Sequence, residues 1–217
     1  LSDSVYVFKH ALIRETAYGS LLRSTRRRFH ARVAEVLQEA FPEKVENEPE
    51  LIAQHLAEAG RRLDAIRHWQ QAGERALRAW ATEEATTHFE RGLELLSSVP
   101  NGEETRELEL GFQLARGTAL MAARGYAAPE AEAAYRRAIE LKPTYAEAYH
   151  NLGVLLSGQK RPREAILCHY KVLSLEPARA DDRRLLAIAY CECGERDKAI
   201  EIFEKWIKED PDSPVAN

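Results

Sequence analysis

Three stretches of the chain end alike: Ala138-Ile-Glu-Leu-Lys-Pro143, Val172-Leu-Ser-Leu-Glu-Pro177 and Trp206-Ile-Lys-Glu-Asp-Pro211, with their prolines 34 residues apart. Proline lacks the N–H that a helix interior needs and pushes its predecessor out of the helical region, so each marks a helix end. Laying the windows over one another at this spacing brings small residues into register. Ala131, Ala165 and Ala199 each open a second helix, Tyr135, His169 and Phe203 coincide one turn later, and Ala138, Val172 and Trp206 follow. In the first helices Ala119, Gly153 and Ala187 coincide. A small residue facing a larger one lets paired helices approach closely.

A looser copy runs upstream. Trp69, Ala72, Gly73 and Ala76 match the first helix of a pair, and Ala85, Phe89 and Gly92 the second. Before it, 49–59 and 63–71 read as a further pair broken at Gly60, and Pro100-Asn-Gly102 interrupts the register. The pattern predicts about five helix pairs, the first two irregular. One pair alone cannot bury its apolar stripe, so neighbours must stack.

Composition agrees. Ala, Leu, Glu and Arg dominate the 217 residues, a vocabulary that loses little side-chain freedom in helices. A net charge of −4 argues against a general nucleic-acid binder, which needs a basic surface. The charge is uneven: residues 1–40 hold seven Lys/Arg against four Asp/Glu. No run of 18 apolar residues occurs to span a membrane, no signal peptide is recognisable, and a cytoplasmic location is expected. The first residue is Leu1, and the chain reads as a piece of a longer one. Cys168, Cys191 and Cys193 lack disulfide, zinc or redox spacing and are expected to be reduced and to fill core.

The sequence offers no chemistry of its own. Seven histidines are scattered without metal spacing. No His-Glu-x-x-His, Gly-x-Ser-x-Gly, kinase signature or phosphate-cradling Gly-rich loop with Lys-Ser/Thr is present. The expectation is a non-enzymatic chain without metal or cofactor, any catalytic activity lying outside it.

Over 145–211, Tyr149, Leu152, Gly153, Ala165 and Pro177 sit at signature spacing, and the chain resembles the tetratricopeptide-repeat proteins. The resemblance implies an all-α fold, a right-handed superhelical solenoid of antiparallel helix pairs whose concave groove holds a protein or peptide. First-helix residues expected to line it are Gln113, Arg116 and Leu120, then Glu147, His150, Asn151 and Val154, then Asp181, Arg184 and Ile188. A carboxylate clamp for chaperone C-termini is not expected: Asn151 and Arg116 fit it, but Asp181 and Leu185 stand where basic residues belong.

The front end departs from the repeat. Phe8-Lys-His-Ala-Leu-Ile-Arg-Glu-Thr-Ala-Tyr18, Leu21-Leu-Arg23 and Arg27-Arg-Phe-His30 resemble the region following the ATPase module of large bacterial signalling ATPases. These are STAND-like proteins of adenylate cyclase, kinase and transcription-regulator type. Residues 1–42 are accordingly expected to end a winged-helix-like segment and supply a linking helix. Residues 43–100 then form irregular helix pairs, and 101–217 three repeats. The likeness implies contact with an ATPase module through 1–42 and a nucleotide-sensing role for His10 in the parent protein, with Lys9-His10-Ala11 where relatives carry Met-His-Asp. Arg26-Arg27-Arg28 reads as the solvent side of a helix whose other face carries Phe29, Val33 and Val36.

Three functions compete at this stage. A protein-interaction scaffold forming the sensor or recruitment tail of a signalling ATPase comes first. An accessory repeat region of an enzyme such as a methyltransferase, suggested by 184–190 and 210–216, comes second. A DNA-contacting regulator, resting on the basic front end, comes last.

Overall fold

The computed structural model describes residue 16 and residues 18–209. Residues 1–15, His10 among them, and Pro211 lie outside the described residues. Among the described residues, helical residues 16 and 18–20 are followed by eleven helices: α1 (Arg23–Ala40), α2 (Pro42–Asn47), α3 (Pro49–Glu58), α4 (Arg62–Arg78), α5 (Thr82–Leu96), α6 (Glu103–Arg124), α7 (Pro129–Leu141), α8 (Ala146–Gly158), α9 (Pro162–Leu175), α10 (Ala180–Glu192) and α11 (Arg196–Glu209). No strand occurs among the described residues. Proline opens α2, α3, α7 and α9, where its missing N–H costs nothing because the first helical donors have no intrahelical partner.

Each helix from α3 onward packs chiefly on its sequence neighbours, so the molecule is a solenoid. Four pairs repeat, α4/α5, α6/α7, α8/α9 and α10/α11, rather than about five. Helix α4 serves both as partner of α3 and as first helix of its own pair, so 49–71 does not add a separate repeat. The prolines at 143 and 177 stand just past α7 and α9 as the sequence requires. Within a pair, the chain turns through a left-handed residue: Trp80 (φ 61°), Lys160 (φ 62°) and Gly194 (φ 79°).

The core runs along the stack as a series of clusters. One end joins Trp69, Phe89 and Phe112, the middle Leu120, Tyr135, Leu152 and Leu155, and the far end Leu186, Tyr190 and Ala199. Cys168 is buried in it and burial pushes its thiol up to about 11. Cys191 is exposed and Cys193 half-buried, which corrects the expectation that all three fill core.

Two further corrections follow. Helix α1 docks through Ala34 onto Ile52 and Leu56 of α3. Of the face expected inward, Phe29 is 52% and Val33 39% exposed, and only Val36 is half-buried. The second correction concerns register. A Cβ at Gly153 would lie 2.7 Å from His169, and Gly73 is closed in the same way by Phe89. These contacts join residues 16 apart. In the α6/α7 pair the contact is Gly117 with Tyr135, at 2.5 Å, and these are 18 apart. Ala119, not Gly117, was expected in that column. Counted from contact to contact, the α6–α7 connection is two residues longer, one on each side of the left-handed Gly125, and its Tyr126 rests against Gly158 while the Tyr126 carbonyl accepts from Gln159 Nε2 at 2.8 Å.

Candidate functional site

The first helices α4, α6, α8 and α10 line one side of the stack, and the register decides which of their residues reach it. A two-residue shift turns a helix by about 200°. On α6 it bears on Leu120 and Arg116. Leu120 is fully buried against Leu152 and Leu155. Arg116 turns to α5 and bonds Glu90 at 3.2 Å. Gln113 is half-buried. The equivalents of Glu147, His150 and Val154 are instead Gly111, Leu114 and Thr118. Gly111 faces Gln70 of α4, which places α4 and α6 side by side along the groove. With Arg116 elsewhere, nothing of a carboxylate clamp remains beyond Asn151.

On α8 and α10 the expected residues keep some or all of their side-chain surface open. Asn151 and Val154 are half-buried, and Asp181, Arg184 and Ile188 are exposed. Ile188 keeps 42% of its surface open, and Arg184 pairs with Asp181 at 3.4 Å. Glu147 holds Arg179 of the next repeat at 2.8 Å.

His150 leads beneath this surface to a buried network that sequence spacing did not reveal. Asp182, wholly buried at the start of α10, accepts from His150 Nδ1 at 2.9 Å and His169 Nδ1 at 2.7 Å, and forms an ion pair with Arg179, whose Nε lies 2.9 Å away. Burial alone would raise the Asp182 carboxyl, but the hydrogen bonds from the two imidazoles outweigh it and hold the group well below the usual carboxylate range. Burial alone would likewise lower Arg179, and its bonds to Glu147 and the charge of Asp182 raise it instead. The network joins α8, α9 and α10, three helices of two repeats.

Register explains where it came from. Asp182 occupies the column of Phe112 and Ala148, both fully buried, and His169 the column of Phe89 and Tyr135. A polar residue in an apolar column was the available signal. The set also has the makings of a cation site, since ligand atoms of His150, His169 and Asp182 all lie within 4.8 Å of one another. The donors argue for hydrogen bonding instead. Arg179 already holds an Asp182 oxygen and would repel a cation. His169 Nε2 is buried without a partner against Gly153. With Nδ1–H donating to Asp182, that atom is a bare acceptor. With Nδ1 on a metal it would be an orphaned donor, the costlier case.

Residues 129–160 match the TPR repeat family and 158–217 the tetratricopeptide repeat family. YrrB, titled a TPR protein with an unusual peptide-binding site, shares the fold at a TM-score of 0.56, with 22% identity over 82% of this chain and 96% of that one. MamA from Desulfovibrio magneticus RS-1 aligns at a TM-score of 0.56, with 18% identity over 88% of this chain and 100% of that one. The C-terminal TPR-containing domain of a putative Plasmodium falciparum FK506-binding protein aligns at 0.55, with 17% identity over 63% of this chain and 93% of that one. The fold is thus the all-α solenoid of tetratricopeptide type. An uncharacterized protein of Rhizobium meliloti (strain 1021) is 26% identical over 138 residues, 64% of this chain. The match spans only 13% of that protein.

Proposed function

We propose that the chain is a protein-interaction scaffold that holds a peptide or helix of a partner along α8 and α10. The observation that carries the reading is the row of Asn151, Val154, Arg184 and Ile188. It mixes hydrogen-bonding, charged and exposed apolar side chains on two adjacent first helices. Such a surface suits a helix or extended segment with apolar anchors between polar residues. The solenoid of YrrB, whose title records a peptide-binding site, lends support by analogy. Glu147 and His150 then act from below, fixing the groove floor through Arg179 and Asp182.

The parent is read as a signalling ATPase, with 1–42 against its ATPase module, His10 toward its nucleotide, and a cytoplasmic location. Support comes from the resemblance of the front end and from the much greater length of the Rhizobium relative. No helix among the described residues is long and apolar enough to cross a membrane. Catalysis, in this reading, belongs to the parent's other domains.

The test is a peptide selected from a display library against the full chain, titrated by fluorescence polarisation. Asn151→Ala, Arg184→Ala and Ile188→Asp each weaken binding by tenfold or more, while Arg116→Ala leaves it within twofold. Equal loss in all four, or loss in Arg116→Ala alone, overturns the reading.

A further inference from the structure

We propose that the pocket enclosed by the start of α1, the α3–α4 turn and the end of α5 binds a phosphate-bearing anion with two or more negative charges. The pocket, of about 360 Å³, is lined by Arg23, Arg26 and Arg27 of α1, Glu58 of α3, Arg62 of α4 and Ser98 beyond α5. Four guanidiniums thus meet one carboxylate. Among the described residues, no ion pair joins Arg23, Arg26, Arg27 or Arg62 to a carboxylate. On the repeats, by contrast, Arg137, Arg161 and Arg179 each hold two or more.

The placement of these arginines is costly without a ligand. Helix α1 opens with Arg23 and has no acidic residue in its first turn and no side-chain cap. Cations there oppose the positive end of the helix dipole. Helix α4 also opens on arginine without a side-chain cap, and its first-turn Asp64 is engaged by Arg61 and Arg67. An anion between the two helix starts would answer their free N–H groups and the four side chains together.

Three of the arginines are already held. Arg62 donates to the Ser98 carbonyl at 3.2 Å, Arg26 lies over the Tyr18 ring at 5.3 Å, and Arg27 folds over Gly60, where a Cβ would lie 3.9 Å from its guanidinium. Such preorganisation favours binding, since less side-chain freedom remains to be lost. The guanidinium forks match phosphate oxygens two at a time. A lone carboxylate would leave the pocket strongly positive, whereas a di- or polyphosphate brings it near neutrality. The rest of the lining, Ala57, Gly60 and Leu95, offers no aromatic ring for a base to stack on. The pocket therefore reads the phosphates, whether free or on a lipid headgroup. It stands apart from the groove of α8 and α10.

Titration calorimetry of the full chain with pyrophosphate tests this, against sodium chloride at matched ionic strength. The expected result is saturable one-site binding that weakens tenfold or more in Arg27→Ala/Arg62→Ala and is unchanged in Arg32→Ala, whose guanidinium pairs with Glu35. Glu58→Gln tightens binding severalfold, an effect that misfolding cannot imitate. Vesicles containing a phosphatidylinositol phosphate identify the source: binding with the same variant dependence assigns a headgroup, and no binding beside intact pyrophosphate affinity assigns a soluble anion. Absence of saturable pyrophosphate binding, indifference to the double variant, or no gain in Glu58→Gln overturns the proposal. So does vesicle binding without pyrophosphate binding.

Discussion

Where α5 meets α6, Phe89 and Phe112 pack edge to face, ring centres 6.1 Å apart and planes at 81°, with Gly92 closed against the Phe112 ring. Where α9 meets α10, the same two columns hold His169 and Asp182, joined at 2.7 Å. One junction is dry and non-directional, its strength coming from apolar area and packing. The other is directional, because Asp182 accepts from His150 and His169 at once while paired with the charge of Arg179. Burying a hydrogen-bonded ion cluster gains little net stability over an apolar junction, yet breaking it is expensive. Corresponding columns are thus joined by two chemistries, and the polar one extends from buried Asp182 to half-buried His150.

Substitutions can separate these junctions. Phe112→Ala removes a fully buried ring and should cost about 3–5 kcal/mol, as measured by urea denaturation at neutral pH. Asp182→Ala should cost about 3 kcal/mol, near the low end for a broken buried pair, because Arg179 and His150 keep about a fifth of their side chains in solvent. Adding His169→Phe to Asp182→Ala restores the apolar columns and should recover about 1–2 kcal/mol. A double variant no more stable than Asp182→Ala would mean that the columns are not interchangeable.

Acid should discriminate next. The Asp182 carboxyl is depressed in the fold, so its contribution is complete above the unfolded carboxylate value of about 3.9 and is lost as pH falls toward its folded value. Denaturation midpoints of the native chain should therefore drop more steeply below pH 4 than those of Asp182→Ala/His169→Phe. Parallel curves would remove Asp182 from the account. The smallest change in stability is expected at the rim, where Ile188→Asp should shift it by no more than about 0.5 kcal/mol while weakening the selected peptide.

Much of this was legible beforehand. Pro143 and Pro177 gave the helix ends, and the 34-residue spacing gave the stacking and the exposed faces of α8 and α10. The register of α6 was not legible. Tyr135 lies 16 residues after Ala119 and 18 after Gly117, both small, and only the wider turn at 125–128 makes Gly117 the contact. Strict periodicity therefore assigned to the groove Leu120, which is fully buried, and Arg116, which turns to Glu90 of α5. The orientation of α1 was misread for another reason: Ala34, a single small residue, sets its docking, and the apolar Phe29 and Val33 are left outside. His150, His169 and Asp182 are separated by 19 and 13 residues, a spacing set by the fold rather than by any metal or catalytic motif.

Hydrogen exchange of the full chain with and without the selected peptide addresses the central assignment most directly. Slowed exchange confined to 146–158 and 180–192 is the outcome the groove reading requires. Protection on α9 around Leu167 and Tyr170, exposed on the opposite face at 70% and 50%, with none on α8 and α10, would contradict it.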